Sequence, residues 1–108
     1  PLNNLRVLGY LAEQFGADEA AQARWFTHWV TTTFDALETM LARDGETGAF
    51  CHGDTPTLAD LCLVPQIYNA RRWGVDLAAL PRLVAIDAAC NALEPFAAAH
   101  PDRIGAPA

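Results

Sequence analysis

Arg71 and Arg72 stand side by side near the end of an apolar segment, and spacings of four, seven and eleven put Arg72 on one helical face with Tyr68, Pro65 and Leu61. A guanidinium at the end of an apolar stripe needs a partner. One kind of partner is local: the negative end of the helix dipole, or Asp76 four residues on. The other is a ligand, because a planar guanidinium projected into a cleft grips a carboxylate with two parallel hydrogen bonds. The remaining reactive side chains do not assemble along the chain. His28, His52 and His100 are scattered, with no acidic or cysteine partner at metal-ligand spacing. Cys51 and His52 are neighbours, but adjacent side chains in a loop point apart, so they do not read as nucleophile and base. There is no Ser-His-Asp order, glycine-rich phosphate loop or paired-carboxylate motif. Alone, the segment does not read as a self-sufficient catalyst.

The element that must position Arg72 announces its own start. In Asp54-Thr55-Pro56-Thr57-Leu58-Ala59-Asp60, the Thr57 side chain is spaced to accept from the Asp60 N–H while the Asp60 carboxylate reaches back to the Thr57 N–H, a reciprocal capping box. Asp60 also puts negative charge at the positive end of the helix dipole. Pro56 and Leu61 are spaced as a hydrophobic staple. Leu61, Cys62, Leu63 and Val64 follow without a polar break, as expected of a core helix buried all round. Pro65 then removes the hydrogen bond to the Leu61 carbonyl, so the helix is expected to kink there and to rely on tertiary packing. It runs from Thr57 to about Trp73, with Gly74 as its stop.

Around it the chain reads as all-α. Apolar residues at Leu5, Leu8, Leu11 and Phe15 recur at helical spacing over Leu2 to Phe15, ending at Gly16. Asp18 caps a long second helix whose face is Phe26, Val30, Thr33, Leu37 and Met40, to about Ala42, with Trp25 and Trp29 beside it as core or interface residues. Arg43 to Pro56 is the longest loop. Pro81 opens a fourth helix presenting Leu83, Ile86, Ala89, Cys90 and Leu93, Pro95 interrupts it, and Phe96 to His100 form one more turn. Pro101 to Ala108 reads as an irregular tail.

With 108 residues and 52% apolar content, the chain is one domain able to build a core without staples. Seven basic residues, all arginine, against 13 acidic ones give a net charge of −6, which argues against nucleic acid and anionic membranes as partners. Cys51, Cys62 and Cys90 are odd in number and widely spaced, so a disulfide framework is not expected and a reducing cytoplasm fits best. No apolar run reaches the roughly 18 residues of a membrane span. An opening on Pro1, inside helix-like sequence, points to a fragment of a longer protein.

Taken together, Pro1-Leu2-Asn3-Asn4-Leu5-Arg6-Val7-Leu8, Phe50-Cys51-His52-Gly53-Asp54, the run from Pro56 to Gln66 and the run from Asn69 to Leu77 resemble the C-terminal domain of zeta-class glutathione transferases. The resemblance covers essentially all of residues 1–108, through Ile86-Asp87-Ala88-Ala89-Cys90 and His100-Pro101. The capping box alone indicates the wider superfamily, while Leu61-Cys62-Leu63-Val64-Pro65-Gln66 and Asn69-Ala70-Arg71-Arg72 narrow it to the class. It implies a helical bundle of four to five helices. It also implies an absent N-terminal thioredoxin-like domain that supplies most of the glutathione site and its serine and cysteine motif.

By the same resemblance, Asn4, Leu5 and Arg6 contact glutathione, Arg72 receives the carboxylate of the substrate, Arg6 shares that cleft and Arg71 is surface. The residue before Pro1 matches a further glutathione contact. The implied activity is glutathione-dependent cis–trans isomerisation of a dicarboxylate, maleylacetoacetate or maleylpyruvate, by a cytoplasmic homodimer paired through the first two helices. The alternatives are a glutathione transferase that conjugates or dehalogenates small acids, and a non-catalytic interaction domain, since fold does not dictate function.

Overall fold

The computed structural model describes residues 2–105, which form six helices and no strand: α1 (Leu5–Phe15), α2 (Glu19–Arg43), α3 (Leu58–Arg72), α4 (Pro81–Asn91), α5 (Glu94–Ala98) and α6 (Pro101–Ile104). None of them is long and apolar enough to cross a membrane. The all-α reading holds, with one helix more than expected. The extra turn, α6, lies in the segment read as an irregular tail. Pro101 occupies its first turn and the Asp102 N–H donates to His100 Nδ1 at 3.2 Å, a local cap that composition did not reveal. Positions 106–108 of that expected tail, and Pro1, lie outside the described residues.

Helix boundaries follow the capping chemistry. Asn4 Oδ1 accepts from the Val7 N–H at 3.0 Å, so α1 starts after Asn4 and not at Leu2. Asp18 Oδ1 accepts from the Ala21 N–H at 2.8 Å at the start of α2. The buried face of α2 is Phe26, Val30, Phe34 and Leu41, with Leu37 partly buried. Thr33 and Met40, expected on that face, are exposed. A strict 3.5-residue repeat drifts away from the 3.6-residue turn of a straight helix over this length, and the true stripe moves one residue later.

The core joins α2, α3 and α4 around Phe26, Val30, Leu63, Ile67, Leu83, Ile86 and Cys90. Fully burying such a side chain contributes about 1.5–3 kcal/mol. In α3 only one stripe is buried, namely Asp60, Leu63, Ile67 and Ala70. The expectation of a helix buried all round is therefore corrected: Leu58 is 74% and Leu61 57% exposed, because α3 packs on α2 and α4 from one side. Pro56 is exposed like Leu61, so their expected staple shelters little apolar surface. The helix continues through Pro65, whose residue sits on the exposed side.

The capping box is present and extends further than the sequence indicates. Asp60 is fully buried and accepts from the Thr57 N–H at 2.8 Å, the Thr57 hydroxyl at 3.2 Å and the Cys51 N–H at 2.9 Å. One carboxylate thus ties the helix start to the preceding loop. That loop is tight: a Cβ on Gly48 would lie 2.6 Å from the Gly53 carbonyl oxygen, so only glycine fits there. Burial pushes the Asp60 carboxyl up, but the hydrogen bonds from Cys51 and Thr57 outweigh it and hold it below its ordinary 3.8. The three cysteines are free, and Cys51 and Cys90 are buried. Burial, followed by the Asp60 carboxylate, pushes the Cys51 thiol up to about 12, and burial with Asp60 and Asp87 pushes Cys90 up to about 11.

Asp60→Ala leaves the buried Cys51 N–H and the half-buried Thr57 N–H without an acceptor and should cost about 3 kcal/mol in chemical denaturation. A group whose folded-state value is depressed contributes stability above its unfolded value and loses it as pH falls through the folded one. Below the unfolded 3.8, the wild-type protein should therefore lose stability more steeply than Asp60→Asn, and matching denaturation profiles would refute this. Cys51 and Cys90 should resist alkylation at pH 8 while folded and react once unfolded, as read by mass-spectrometric mapping.

Candidate functional site

The start of α1 and the end of α3 bound a cleft of about 690 Å³ lined by Asn3, Asn4, Leu5, Leu8, Asn69, Arg72 and Trp73. Several local devices deliver Arg72 to it. Arg72 is the last residue of α3, where a cation is favoured by the helix dipole. Beyond it the chain turns through Gly74 at φ 72°, and the Gly74 and Val75 N–H groups donate to the carbonyls of Arg71 and Ala70, each at 3.0 Å, a Schellman closure. Trp73 stacks on buried Phe26 with ring centroids 4.7 Å apart and an interplanar angle of 10°. The end of α3 is thus fastened to α2.

On the other wall, Trp25 Nε1 donates to the Leu2 carbonyl at 2.8 Å and holds the segment ahead of α1 against α2. Trp25 also meets Trp29 edge-to-face at 5.8 Å, consistent with the packing role expected of the pair. The Asn4 side-chain oxygen is spent on capping, which leaves its amide N–H groups for a ligand. Asn3 Oδ1 is buried and has no hydrogen-bond partner among the described residues, an unsatisfied acceptor in the cleft wall. Such an atom calls for a donor.

The structure brings three of the expected site residues together: Asn4 and Leu5 from α1 and Arg72 from α3. Arg6 lies in the first turn of α1, is exposed, and is not among the residues lining the cleft. Arg72 does not end a buried stripe, because Leu61 and Pro65 are exposed and Tyr68 is half-buried; it stands on the outward side of α3. Among the described residues it pairs with no carboxylate, Asp76 included. Asn3, Leu8, Asn69 and Trp73 were not singled out as site residues from sequence. Asn69 carried a usable signal, since a spacing of three puts it beside Arg72 on the helix surface.

Arg71, read as surface, is indeed exposed, but it also makes an ion pair that the sequence did not indicate. Its Nη1 lies 2.6 Å from Asp87 Oδ2, and Asp87 on α4 is buried and also accepts from Asn91 Nδ2 at 3.0 Å. A buried carboxylate without this partner would cost several kcal/mol, so Arg71 is a structural ion-pair residue. Arg71 and Asp87 flank a second cavity of about 260 Å³, lined largely by apolar residues of α3 and α5 such as Leu61, Val64 and Phe96. Among the described residues, no group of three His, Cys, Asp or Glu side chains is arranged to hold a metal ion.

Comparison with known proteins gives these features a context. A family model described as glutathione S-transferase, C-terminal domain, matches residues 8–101. The maleylacetoacetate isomerase of Rhizobium meliloti (strain 1021) is 53% identical over 103 residues, covering 95% of this chain and 48% of that protein. Among solved structures, the holo form of a maleyl pyruvate isomerase, described as a bacterial glutathione S-transferase of the zeta class, superposes with a TM-score of 0.92 at 50% identity, covering 95% of this chain and 49% of that one. The maleylacetoacetate isomerase of Anaeromyxobacter dehalogenans 2CP-1, solved with dicarboxyethyl glutathione and citrate bound in its active site, superposes with a TM-score of 0.85 at 50% identity, covering 95% of this chain and 44% of that one. The chain spans about half the length of the curated relatives it matches. Its helical bundle, the capped and closed helix α3 and the match over residues 8–101 together establish that the chain belongs to the glutathione S-transferase C-terminal domain family.

Proposed function

We propose that this chain is the substrate-facing C-terminal domain of a zeta-class, glutathione-dependent cis–trans isomerase acting on maleylacetoacetate or maleylpyruvate, in partnership with a thioredoxin-like N-terminal domain. The observation that carries the reading is Arg72: an arginine with no carboxylate partner among the described residues lines a cleft whose opposite wall is the start of α1. Half-length similarity to maleylacetoacetate and maleylpyruvate isomerases supports it. So do the glutathione-derived ligand and citrate bound by the Anaeromyxobacter relative.

The residues present fit glutathione. Asn3 offers a buried acceptor without a donor, Asn4 retains its amide N–H groups, and Leu5 adds an apolar contact. Arg6, exposed on the same turn of α1, is assigned to glutathione and to the far end of the substrate. When bound, glutathione would supply a thiolate whose addition turns the cis double bond into a single bond free to rotate, and whose departure restores the double bond as trans.

This chain's own contribution is positioning and electrostatics. Arg72 binds one substrate carboxylate through its two-pronged donor set and fixes that end of the molecule while the other end turns. Among the described residues its charge is not taken up by an ion pair, so it is available to a dianion. A chain of net charge −6 repels such a substrate overall, and a local cation must therefore do the recruiting. Trp73, stacked on Phe26, keeps the end of α3 from yielding under that load. We place the protein in the cytoplasm as a homodimer formed through α1 and α2, where Tyr10, Phe15 and Met40 are exposed apolar residues for a partner to cover.

In the two-domain protein, Arg72→Ala should lower kcat/KM for the dicarboxylate about 10- to 100-fold, the loss of one charged hydrogen-bonded contact, while Tm stays within a few degrees. An unchanged rate would refute the assignment. Quantitative recovery of free glutathione after turnover separates isomerisation from conjugation, which leaves the thiol modified, and the absence of released halide ion separates it from dehalogenation.

A further inference from the structure

Arg72 belongs to no ion pair among the described residues, yet it is not left without support. Its guanidinium carbon lies 5.9 Å from the centroid of the Tyr68 ring, one turn earlier on α3, within range of a cation–π contact. Tyr68 is itself held at two other points. Its hydroxyl donates to Asp102 Oδ1 at 3.2 Å, and its ring meets the His100 ring edge-on at 5.3 Å and 89°. Both of those partners come from the short C-terminal segment at α6, 32 and 34 residues later in sequence, so the ring cannot swing freely about the helix.

We propose that Tyr68 is the positioning residue for Arg72: its ring, clamped by His100 and Asp102, presents a fixed π-face that holds the guanidinium ready for a substrate carboxylate. The inference rests on the reading of Arg72 as the carboxylate ligand. Its physical basis is entropic. A long exposed arginine loses rotamer freedom when it binds, and a side chain already held on an aromatic face loses less. A cation–π contact uses no carboxylate acceptor, whereas an internal carboxylate partner would have occupied the guanidinium N–H donors needed for two-pronged binding. Tyr68 touches no reacting atom in this scheme and acts only through Arg72.

The test is a double-mutant cycle in the two-domain protein with maleate, a cis dicarboxylate, as the probe, read by calorimetry alongside KM and kcat for the isomerised substrate. Tyr68→Leu should weaken maleate binding about five-fold and raise KM by a similar factor, with kcat and Tm little changed. Tyr68→Phe keeps the ring face and the His100 contact but loses the bond to Asp102, and should fall between wild type and Tyr68→Leu. In an Arg72→Ala background, Tyr68→Leu should have no further effect. The proposal is overturned if Tyr68→Leu binds maleate like wild type, if Tyr68→Phe is as weak as Tyr68→Leu, or if Tyr68→Leu weakens binding equally without Arg72. Failure of Arg72→Ala to weaken maleate would overturn the Arg72 assignment and this inference together, whereas an effect of Arg72→Ala without one of Tyr68→Leu overturns this inference alone.

Discussion

A carboxylate removed from water must keep its hydrogen bonds, and in this domain that demand falls on Asp60. Its three donors come from the Thr57 backbone, the Thr57 side chain and the Cys51 backbone, so a single buried charge defines both where α3 begins and where the loop before it lies. The charge is affordable there because burial, which disfavours the ionised form, is outweighed by N–H donors aimed at it. Two buried thiols stand within its influence, and both are held in their neutral forms. From this fixed start the helix advances through Leu63, Ile67 and Ala70, each buried against the core.

The far end is secured by different means. There the Schellman closure through Gly74 satisfies the last carbonyls, and the Trp73 stack on Phe26 binds the helix terminus to α2. Both ends of α3 are thus held, the start by its cap and the far end by its closure on α2. That anchoring matters for a side chain meant to meet a ligand, because a misplacement of about 1 Å costs binding geometry that no local adjustment restores. The cleft wall opposite is secured by Trp25, whose indole N–H reaches the Leu2 carbonyl across 23 residues of chain.

Arg71 and Arg72 show how a rotation of about 100° per residue divides one dipeptide into two roles. Arg71 meets Asp87, a carboxylate that α4 buries, and the pair neutralises a charge that the core could not otherwise hold. Arg72, one position on, meets no carboxylate among the described residues and rests against an aromatic ring instead. The same chemistry is structural in one case and available for recognition in the other.

The elements of this fold were legible because their signals are local. Asp18, Thr57 with Asp60, Pro81 and Gly74 mark helix ends through chemistry confined to a few residues, and the run from Asn69 to Leu77 carried the family resemblance and with it Arg72. Burial was less legible. Leu58 and Leu61 are exposed despite their hydrophobicity, and the α2 stripe falls on Phe34 and Leu41 instead of Thr33 and Met40, because which side of a helix is covered depends on the neighbours that arrive from elsewhere in the chain. The partners of Arg71 and Asp60 were hidden for the same reason: Asp87 lies 16 residues from Arg71, and Cys51 lies 9 residues before Asp60. Sequence alone determined most helix ends, since capping is short-range chemistry, but not the start of α1 or the turn of α6. Only the tertiary structure decided that Arg71 meets Asp87 while Arg72 meets no carboxylate among the described residues, since that depends on a carboxylate brought close by packing.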